Sequence, residues 1–342
     1  MSIETRLTVI VPAYNEAGSI ADTIRSIQSQ SLEAGEIIVV DDCSTDATGE
    51  IARGCGVTVL RPPRNTGSKA GAQSFALTRV KTELTMALDA DTVLAPDAIA
   101  RLLPALDDPN VAAACGLVIP RRVSTIFERG RYIEYLFAFT FYKPIQDFYE
   151  KPLISSGCFS AYRTGVLRRV GGWSARTLAE DMDLTWSLYE EGYGVRFIPE
   201  AVCYPLEPHN YHFMRKQLRR WSHGFVQNVR LHWRGVVREP YLRSTVAVAM
   251  WDATVASIAY LLLLPALALA VSPVFLLGYV IDLPAVLVPV LVKAAERREI
   301  GRAIASLPGF LVQRLLNCCF MLKALWSEFV THHPLHVYEK GH

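Results

Sequence analysis

The chain carries almost no excess of charge: 35 Lys and Arg stand against 33 Asp and Glu over 342 residues, a net of +2. That balance gives no global attraction to nucleic acid. Cysteine is sparse and unpatterned. Cys43, Cys55, Cys115, Cys158, Cys203, Cys318 and Cys319 form no C-x-x-C, which argues against a zinc site and against a disulfide framework. A reducing, cytosol-facing compartment is the simplest expectation. Met1 to Arg6 is polar and leads straight into a strand, so no signal peptide or N-terminal membrane anchor is expected. Internal repeats and low-complexity tracts are absent as well. Apolar residues are plentiful, at 51%, which is high for a purely soluble chain.

Across the first 200 or so residues, strand and helix signals alternate. Leu7 to Tyr14 is a β-rich run, followed by Ile20, Ile24 and Ile27 at the spacing of a helix face. Glu36 to Asp42 is nearly continuously apolar before its acidic end, as a strand covered on both faces should be. Helical Thr45 to Arg53, strand Val57 to Leu60, helical Ser68 to Val80 and strand Leu84 to Leu88 follow. This order predicts an α/β fold with a mostly parallel sheet and helices on both faces. Ligands in such sheets bind at the carboxyl ends of strands, and Asp41-Asp42 and Asp89-Ala90-Asp91 sit at two of those ends. Beyond them, Val123 to Tyr142 reads as an aromatic-rich helix, Ile154 to Tyr162 as loop and strand, Glu180 to Glu191 as a helix, and Val195 to Val202 as a strand.

Composition changes near Ser244. From Val246 to Val292 the charges are Asp252 and Asp282, and Ala253 to Ile281 has none. One spanning helix needs about 20 residues, so 244–292 fits two crossings with a turn near Ser272-Pro273. Arg230, Arg234, Arg238 and Arg243 precede the run, and Lys293, Arg297, Arg298 and Arg302 follow it. Two crossings put both basic flanks on the cytoplasmic side. Asp282, Pro284 and Pro289 weaken the second crossing, which leaves a re-entrant hairpin open. A buried soluble hairpin fits poorly with so long an uncharged run. Leu307 to Val330 is apolar but carries Gln313, Arg314, Asn317, Lys323 and Glu328, and reads better as an amphipathic interfacial helix than as a third crossing.

Each polar motif is weak alone. Asp89-x-Asp91 can hold a hard divalent cation that bridges a diphosphate, or can merely close a turn. Asp42 and Ser44 suit a binding loop or a helix cap. Asn65 to Lys69 offers a turn, a helix start and a cation, which suits an anion or simply a solvated lysine. On a helix from His209 to Trp233, Gln217, Arg220 and Trp221 can share one face. Met214, Leu218, Trp221 and Phe225 make an apolar stripe among Arg215, Lys216, Arg219 and Arg230, as on a membrane-surface helix with snorkelling cations. Lipid headgroups suit that helix better than RNA.

Together these segments resemble a known family. Val11-Pro12-Ala13-Tyr14-Asn15-Glu16, Asp41 to Ser44, Asn65 to Lys69, Asp89-Ala90-Asp91, Glu180-Asp181 and Gln217-Leu218-Arg219-Arg220-Trp221 look like the D, D, D, Q-x-x-R-W pattern of family 2 glycosyltransferases. The branch is that of cellulose, chitin and hyaluronan synthases and ceramide glucosyltransferases, and the likeness covers about residues 5 to 240. Cys43 stands where the family usually has Gly, and Ser68 intervenes before Lys69. The resemblance implies a GT-A, Rossmann-like nucleotide-sugar-binding domain over 1–240, including the basic helix 209–233. A membrane hairpin over 244–292 and a cytoplasmic tail over 293–342, with an interfacial helix at 307–330, would follow.

The resemblance also implies roles. Pro12, Ala13, Tyr14, Glu16, Asp42, Ser44, Lys69, Asp89, Ala90, Gln217, Arg220 and Trp221 would bind the nucleotide sugar. Asp91, with Asp89, would hold Mn²⁺ or Mg²⁺. Asp181 would be the catalytic base, and Ser156, Gly157, Glu180 and Trp221 would meet the acceptor. A positioned carboxylate suits the chemistry, because an acceptor hydroxyl must lose its proton as it bonds to the anomeric carbon. The expected activity is inverting transfer from a UDP-sugar to a lipid or lipid-linked acceptor at the cytoplasmic face of the inner membrane, with homo-oligomerisation left open. The rivals are a processive polysaccharide synthase working as an oligomer, a polyprenyl-phosphate sugar synthase, against which Q-x-x-R-W counts, and a non-catalytic membrane scaffold.

Overall fold

The computed structural model describes residues 6–333 and 335. The expectation for Met1 to Thr5, and for the end of the tail at 334 and 336–342, lies outside the described residues. The chain divides into two compact units, residues 1–121 with 146–206, and residues 122–145 with 207–342.

The first unit is a curled α/β sheet of eight strands: β1 (Leu7–Ala13), β2 (Glu36–Asp41), β3 (Thr58–Leu60), β4 (Leu84–Leu88), β5 (Thr92–Leu94), β6 (Val111–Val118), β7 (Phe159–Arg163) and β8 (Gly194–Pro205). Their order is β3-β2-β1-β4-β7-β6-β8-β5. The first four are parallel, as their apolar runs predict. The other half is mixed, because β7 runs antiparallel to both β4 and β6 while β8 is parallel to β6. Sequence alternation does not reveal that insertion: β7 returns to the sheet 41 residues after β6 ends, counting from Val118 to Phe159. In the parallel half, Ala13 lies opposite Asp41, and Ile10 opposite Ala87. The loops after β1, β2 and β4 therefore leave from one end of the sheet, where the acidic motifs sit.

The second unit is helical. Its first helix, Ile126–Phe137, opens with a capping box in which Thr125 and Glu128 satisfy each other's backbone amides. It packs against the helix Ile300–Leu325 at Gly130 and Gly309. A Cβ on Gly130 would lie 2.5 Å from the Gly309 carbonyl oxygen, so two helix backbones meet where neither position tolerates a side chain. Tyr132, Ile133, Leu136, Val286, Val290, Ala294, Ala303 and Phe310 form the buried core there.

Among the described residues, three helical segments are long and apolar enough to cross a membrane: Pro240–Ala270, Pro273–Glu296 and Ile300–Val330. The break between the first two falls at Val271 and Ser272, beside the Ser272-Pro273 turn signal. The third begins at Ile300, ahead of the expected Leu307, and by length and composition it too is a candidate crossing, with a mean hydropathy of 1.3 against 2.1 and 2.3 for the other two. Asp282, which made the second segment look weak, is ion-paired with Arg314 of the third, with Arg314 Nη1 at 2.7 Å, and accepts the Tyr260 hydroxyl at 3.3 Å. Charges inside apolar segments persist when paired in this way.

Candidate active site

The loops after β1 and β2 are knitted together by main-chain amides. Asn15 N donates to Ser44 Oγ at 3.0 Å, Glu16 N to Thr48 Oγ1 at 2.7 Å, and Asp42 N to the Ala13 carbonyl at 2.9 Å. Asp41 is fully buried and accepts the Ser44 amide at 2.9 Å. Between them Cys43 adopts φ = 62°. That left-handed geometry explains the glycine preference at this position, because an L side chain there costs on the order of 1–2 kcal/mol. Asp42 Oδ1 and Oδ2 accept the amide and hydroxyl of Thr66 at 2.8 and 2.9 Å. Thr66 lies within the Asn65 to Lys69 segment, but nothing in the sequence marks it as the partner of Asp42.

Lys69 begins the helix Lys69–Leu77, which Ser68 caps by accepting the Gly71 amide at 3.1 Å. Its ammonium is ion-paired with Asp89, lies 3.7 Å from Glu180, and donates to the Gly157 carbonyl at 2.9 Å. The lysine expected to meet phosphate therefore also links three segments of the site. Asp181 lies in the first turn of the helix Glu180–Glu190. Its Oδ2 accepts the Gly157 amide at 2.8 Å and its Oδ1 the Met182 amide at 2.9 Å. A Cβ on Gly157 would lie 2.8 Å from Asp181 Oδ2 and 3.1 Å from Lys69 Nζ. Glycine at 157 thus lets the loop come up against both charged groups. Ser156 offers its carbonyl to the Ser160 hydroxyl at 2.7 Å.

Ala90 is buried, and its carbonyl accepts the Thr23 hydroxyl at 2.9 Å, which fixes the turn carrying Asp89 and Asp91. Asp91 Oδ1 accepts the Thr92 hydroxyl at 3.2 Å. Two carboxylates at one strand end suit a hard divalent cation. Among the described residues no group of three His, Cys, Asp or Glu side chains could hold a metal.

Of the expected residues in the first unit, Lys69, Asp89, Gly157, Glu180 and Asp181 are drawn together, whereas Gln217, Arg220 and Trp221 lie in the second unit on the helix Tyr211–Arg238. There Arg131 Nη2 donates to Gln217 Oε1 at 2.7 Å, and the Arg131 guanidinium lies 4.5 Å from the Trp221 ring centroid. Arg131 is also ion-paired with Glu134 and lies 3.5 Å from Glu207. Burial pushes the Glu207 carboxyl up to about 7, against the opposing pull of Arg131. Sequence reasoning passed over Arg131, Glu134 and Glu207. No local signal sets them apart, because Glu128 and Arg129 lie beside Arg131 and Glu134, and Glu207 precedes the polar run Pro208-His209-Asn210.

A curled sheet with acidic loops at its parallel strand ends, and a carboxylate at the start of a helix beside them, is the arrangement of a GT-A fold. Residues 8–171 match the family model described as glycosyl transferase family 2. That match takes in just under half of the chain, and over those residues the chain is similar to a family 2 glycosyltransferase domain. The poly-β-1,6-N-acetyl-D-glucosamine synthases of Staphylococcus aureus and Staphylococcus epidermidis are each 29% identical to it over 223 residues, 64% of this chain and 54% of theirs. The chain therefore spans about half the length of the curated relatives it matches. A solved structure, the mannosyltransferase PcManGT from Pyrobaculum calidifontis in complex with GDP-Man and Mn²⁺, superposes with a TM-score of 0.66 at 23% identity, covering 94% of this chain and 88% of that one. That likeness bears on the fold alone.

Proposed function

We propose that the protein is a membrane-bound, inverting glycosyltransferase that moves a sugar from a nucleotide donor, a UDP-sugar, to a lipid or lipid-linked acceptor at the cytoplasmic face of the inner membrane. The observation that carries this reading is Asp181, oriented by the Gly157 and Met182 amides within the cluster that holds Lys69, Asp89 and Glu180. Asp181 takes the proton of the acceptor hydroxyl as that oxygen bonds to the anomeric carbon and the bond to the diphosphate breaks. A single displacement of this kind inverts the anomeric centre. The loops 12–16 and 42–44 bind the nucleoside, and Lys69 compensates charge on the departing diphosphate, a role that the Q-x-x-R-W resemblance also implies for Arg220. Asp91 and Asp89 would hold Mn²⁺ or Mg²⁺, which supplies further charge compensation when bound. Gln217 and Trp221 complete the donor and acceptor contacts, as the Q-x-x-R-W resemblance implies.

A lipid acceptor is supported by the three apolar helices and by the basic aromatic helix Tyr211–Arg238, which together suit chemistry at headgroup level. Tails of such an acceptor stay in the leaflet, whereas a growing polymer needs a polar path through hydrocarbon. One observation favours a second reading: the Staphylococcus relatives are polysaccharide synthases. A processive synthase, acting as an oligomer, is that alternative. Purified protein in liposomes, given radiolabelled UDP-N-acetylglucosamine, UDP-glucose or GDP-mannose in turn, separates the two. Label that enters organic solvent with one or a few sugars supports the lipid reading. Long water-soluble polymer made from nucleotide sugar alone overturns it.

A further inference from the structure

Arg131 is fully buried, yet it reaches the motif helix through more contacts than a structural salt bridge would need. Nη1 pairs with Glu134 one turn along, and Nη2 donates to Gln217 Oε1 at 2.7 Å and to Met214 Sδ at 3.4 Å. The guanidinium carbon lies 4.5 Å from the Trp221 ring centroid and 5.6 Å from that of Tyr135. Nε lies 3.5 Å from Glu207 Oε2, and neither of those two buried atoms completes a hydrogen bond among the described residues. Glu134 is itself held by Asn317 Nδ2 at 3.0 Å, and Asn317 by Gln313 at 3.0 Å, both on the helix Ile300–Leu325. Glu207 is buried and hydrogen-bonded to Tyr135 and Gln217.

A buried charge is retained only where it is paired or serves a purpose, and Arg131 already has Glu134. Its second amino group and its flat face go to Gln217 and Trp221. The planar fork of arginine can serve a carboxylate, an amide oxygen and a ring at once, which the single ammonium of lysine cannot. A helix sets backbone positions and leaves the rotamers of glutamine and tryptophan open, so a fixed cation between them decides where both side chains point.

We propose that Arg131 is a positioning residue for transfer: it fixes the orientations of Gln217 and Trp221, and Glu207, at the open edge of the guanidinium, sets how firmly it does so. The proposal rests on the reading that Q-x-x-R-W belongs to the reaction site. The charged and titratable groups meeting in this cluster are Arg131, Glu134 and Tyr135 from the helix Ile126–Phe137 and Glu207 ahead of the motif helix. The helix Ile300–Leu325 contributes the neutral Asn317 and Gln313. Burial raises the Glu207 carboxyl to about 7. Its charge therefore changes near neutral pH, and Arg131 and Trp221 feel that change.

The test uses the full chain in detergent, with incorporation measured from whichever of UDP-N-acetylglucosamine, UDP-glucose and GDP-mannose is active. Arg131→Lys should lower kcat roughly tenfold. In a Gln217→Ala background the same change should lower it by less than about twofold, because residues acting as one unit are not additive. The emission of Trp221, isolated as the difference between wild type and Trp221→Phe, should titrate with a midpoint near pH ~7, and Glu207→Gln should abolish that titration. The emission measurement also covers the case in which Arg131→Lys does not fold. Multiplying losses, or a Trp221 emission flat across neutral pH, overturn the positioning role. If Gln217→Ala and Trp221→Phe both transfer like wild type while the emission still titrates, the motif reading itself fails, and the role in transfer falls with it.

Discussion

In the first unit main-chain amides share in holding the carboxylates: Asp181 by the amides of Gly157 and Met182, Asp42 by the amide and hydroxyl of Thr66, and Asp41 by the amide of Ser44 together with the Arg61 side chain. In the second unit Arg131, Glu134, Gln217 and Asn317 hold one another through side chains alone. The difference follows from the backbone. Loops at strand ends leave amides open to a carboxylate, whereas a helix uses its own amides internally, so polar contacts between helices must pass from side chain to side chain. A site built on loop amides can be disturbed without disturbing the fold. A site built between helices is part of what holds those helices together.

Four measurements break or sharpen that contrast. The largest effect expected is on metal removal. Stripping divalent cations with EDTA should abolish transfer and leave the melting temperature nearly unchanged, and Mn²⁺ or Mg²⁺ should restore activity. Full activity in a demetallated sample would remove the role given to Asp89 and Asp91. Next, Asp181→Asn should keep donor binding, measured by equilibrium dialysis, while turnover falls by about 10²–10⁴. Near-normal turnover would show that another group takes the proton.

Gly157→Ala is the sharper probe of the first unit. The added methyl meets Asp181 Oδ2 at 2.8 Å and both Asp181 Cβ and Lys69 Nζ at 3.1 Å, so it should displace the two charged groups at a modest loss of stability. A displacement of that size is expected to lower kcat by roughly 10²-fold. A variant that unfolds instead would show that this loop is structural.

The smallest effect belongs to Glu207 and is read as stability. The folded state raises its carboxyl from 4.5 to about 7. Between those values the folded chain binds more protons than the unfolded one, so this group's contribution to stability is lost as pH rises through that window. Glu207→Gln should remove that loss, raising the melting temperature at pH 8 relative to wild type by on the order of 2–4 °C, with no gain at pH 4. Parallel melting curves for the two proteins would show that Glu207 does not titrate in this range.

Much of the first unit is legible in the amino-acid order. The apolar runs at Leu7, Glu36 and Leu84 announce parallel strands, and the acidic residues follow them directly, because strand period and turn chemistry are local properties. The turn residues between apolar segments likewise mark the break at Val271 and Ser272. Thr66 and Gly157 escaped as supports because nothing local distinguishes a threonine that holds an aspartate, or a glycine that admits one, from any other.

The sequence by itself determined most of the secondary elements, though not β5 or β6, together with the family pattern and the existence of long apolar helices, since each depends on residues within a turn or two of one another. Tertiary structure alone decided the antiparallel entry of β7 between β4 and β6, the pairing of Lys69 with Asp89 and Glu180, and the neutralisation of Asp282 by Arg314. It alone placed Arg131 against Gln217, 86 residues away. Those contacts depend on which helix faces which and in what register, and that is settled by packing many side chains together, as where Gly130 meets Gly309, rather than by any one stretch of chain.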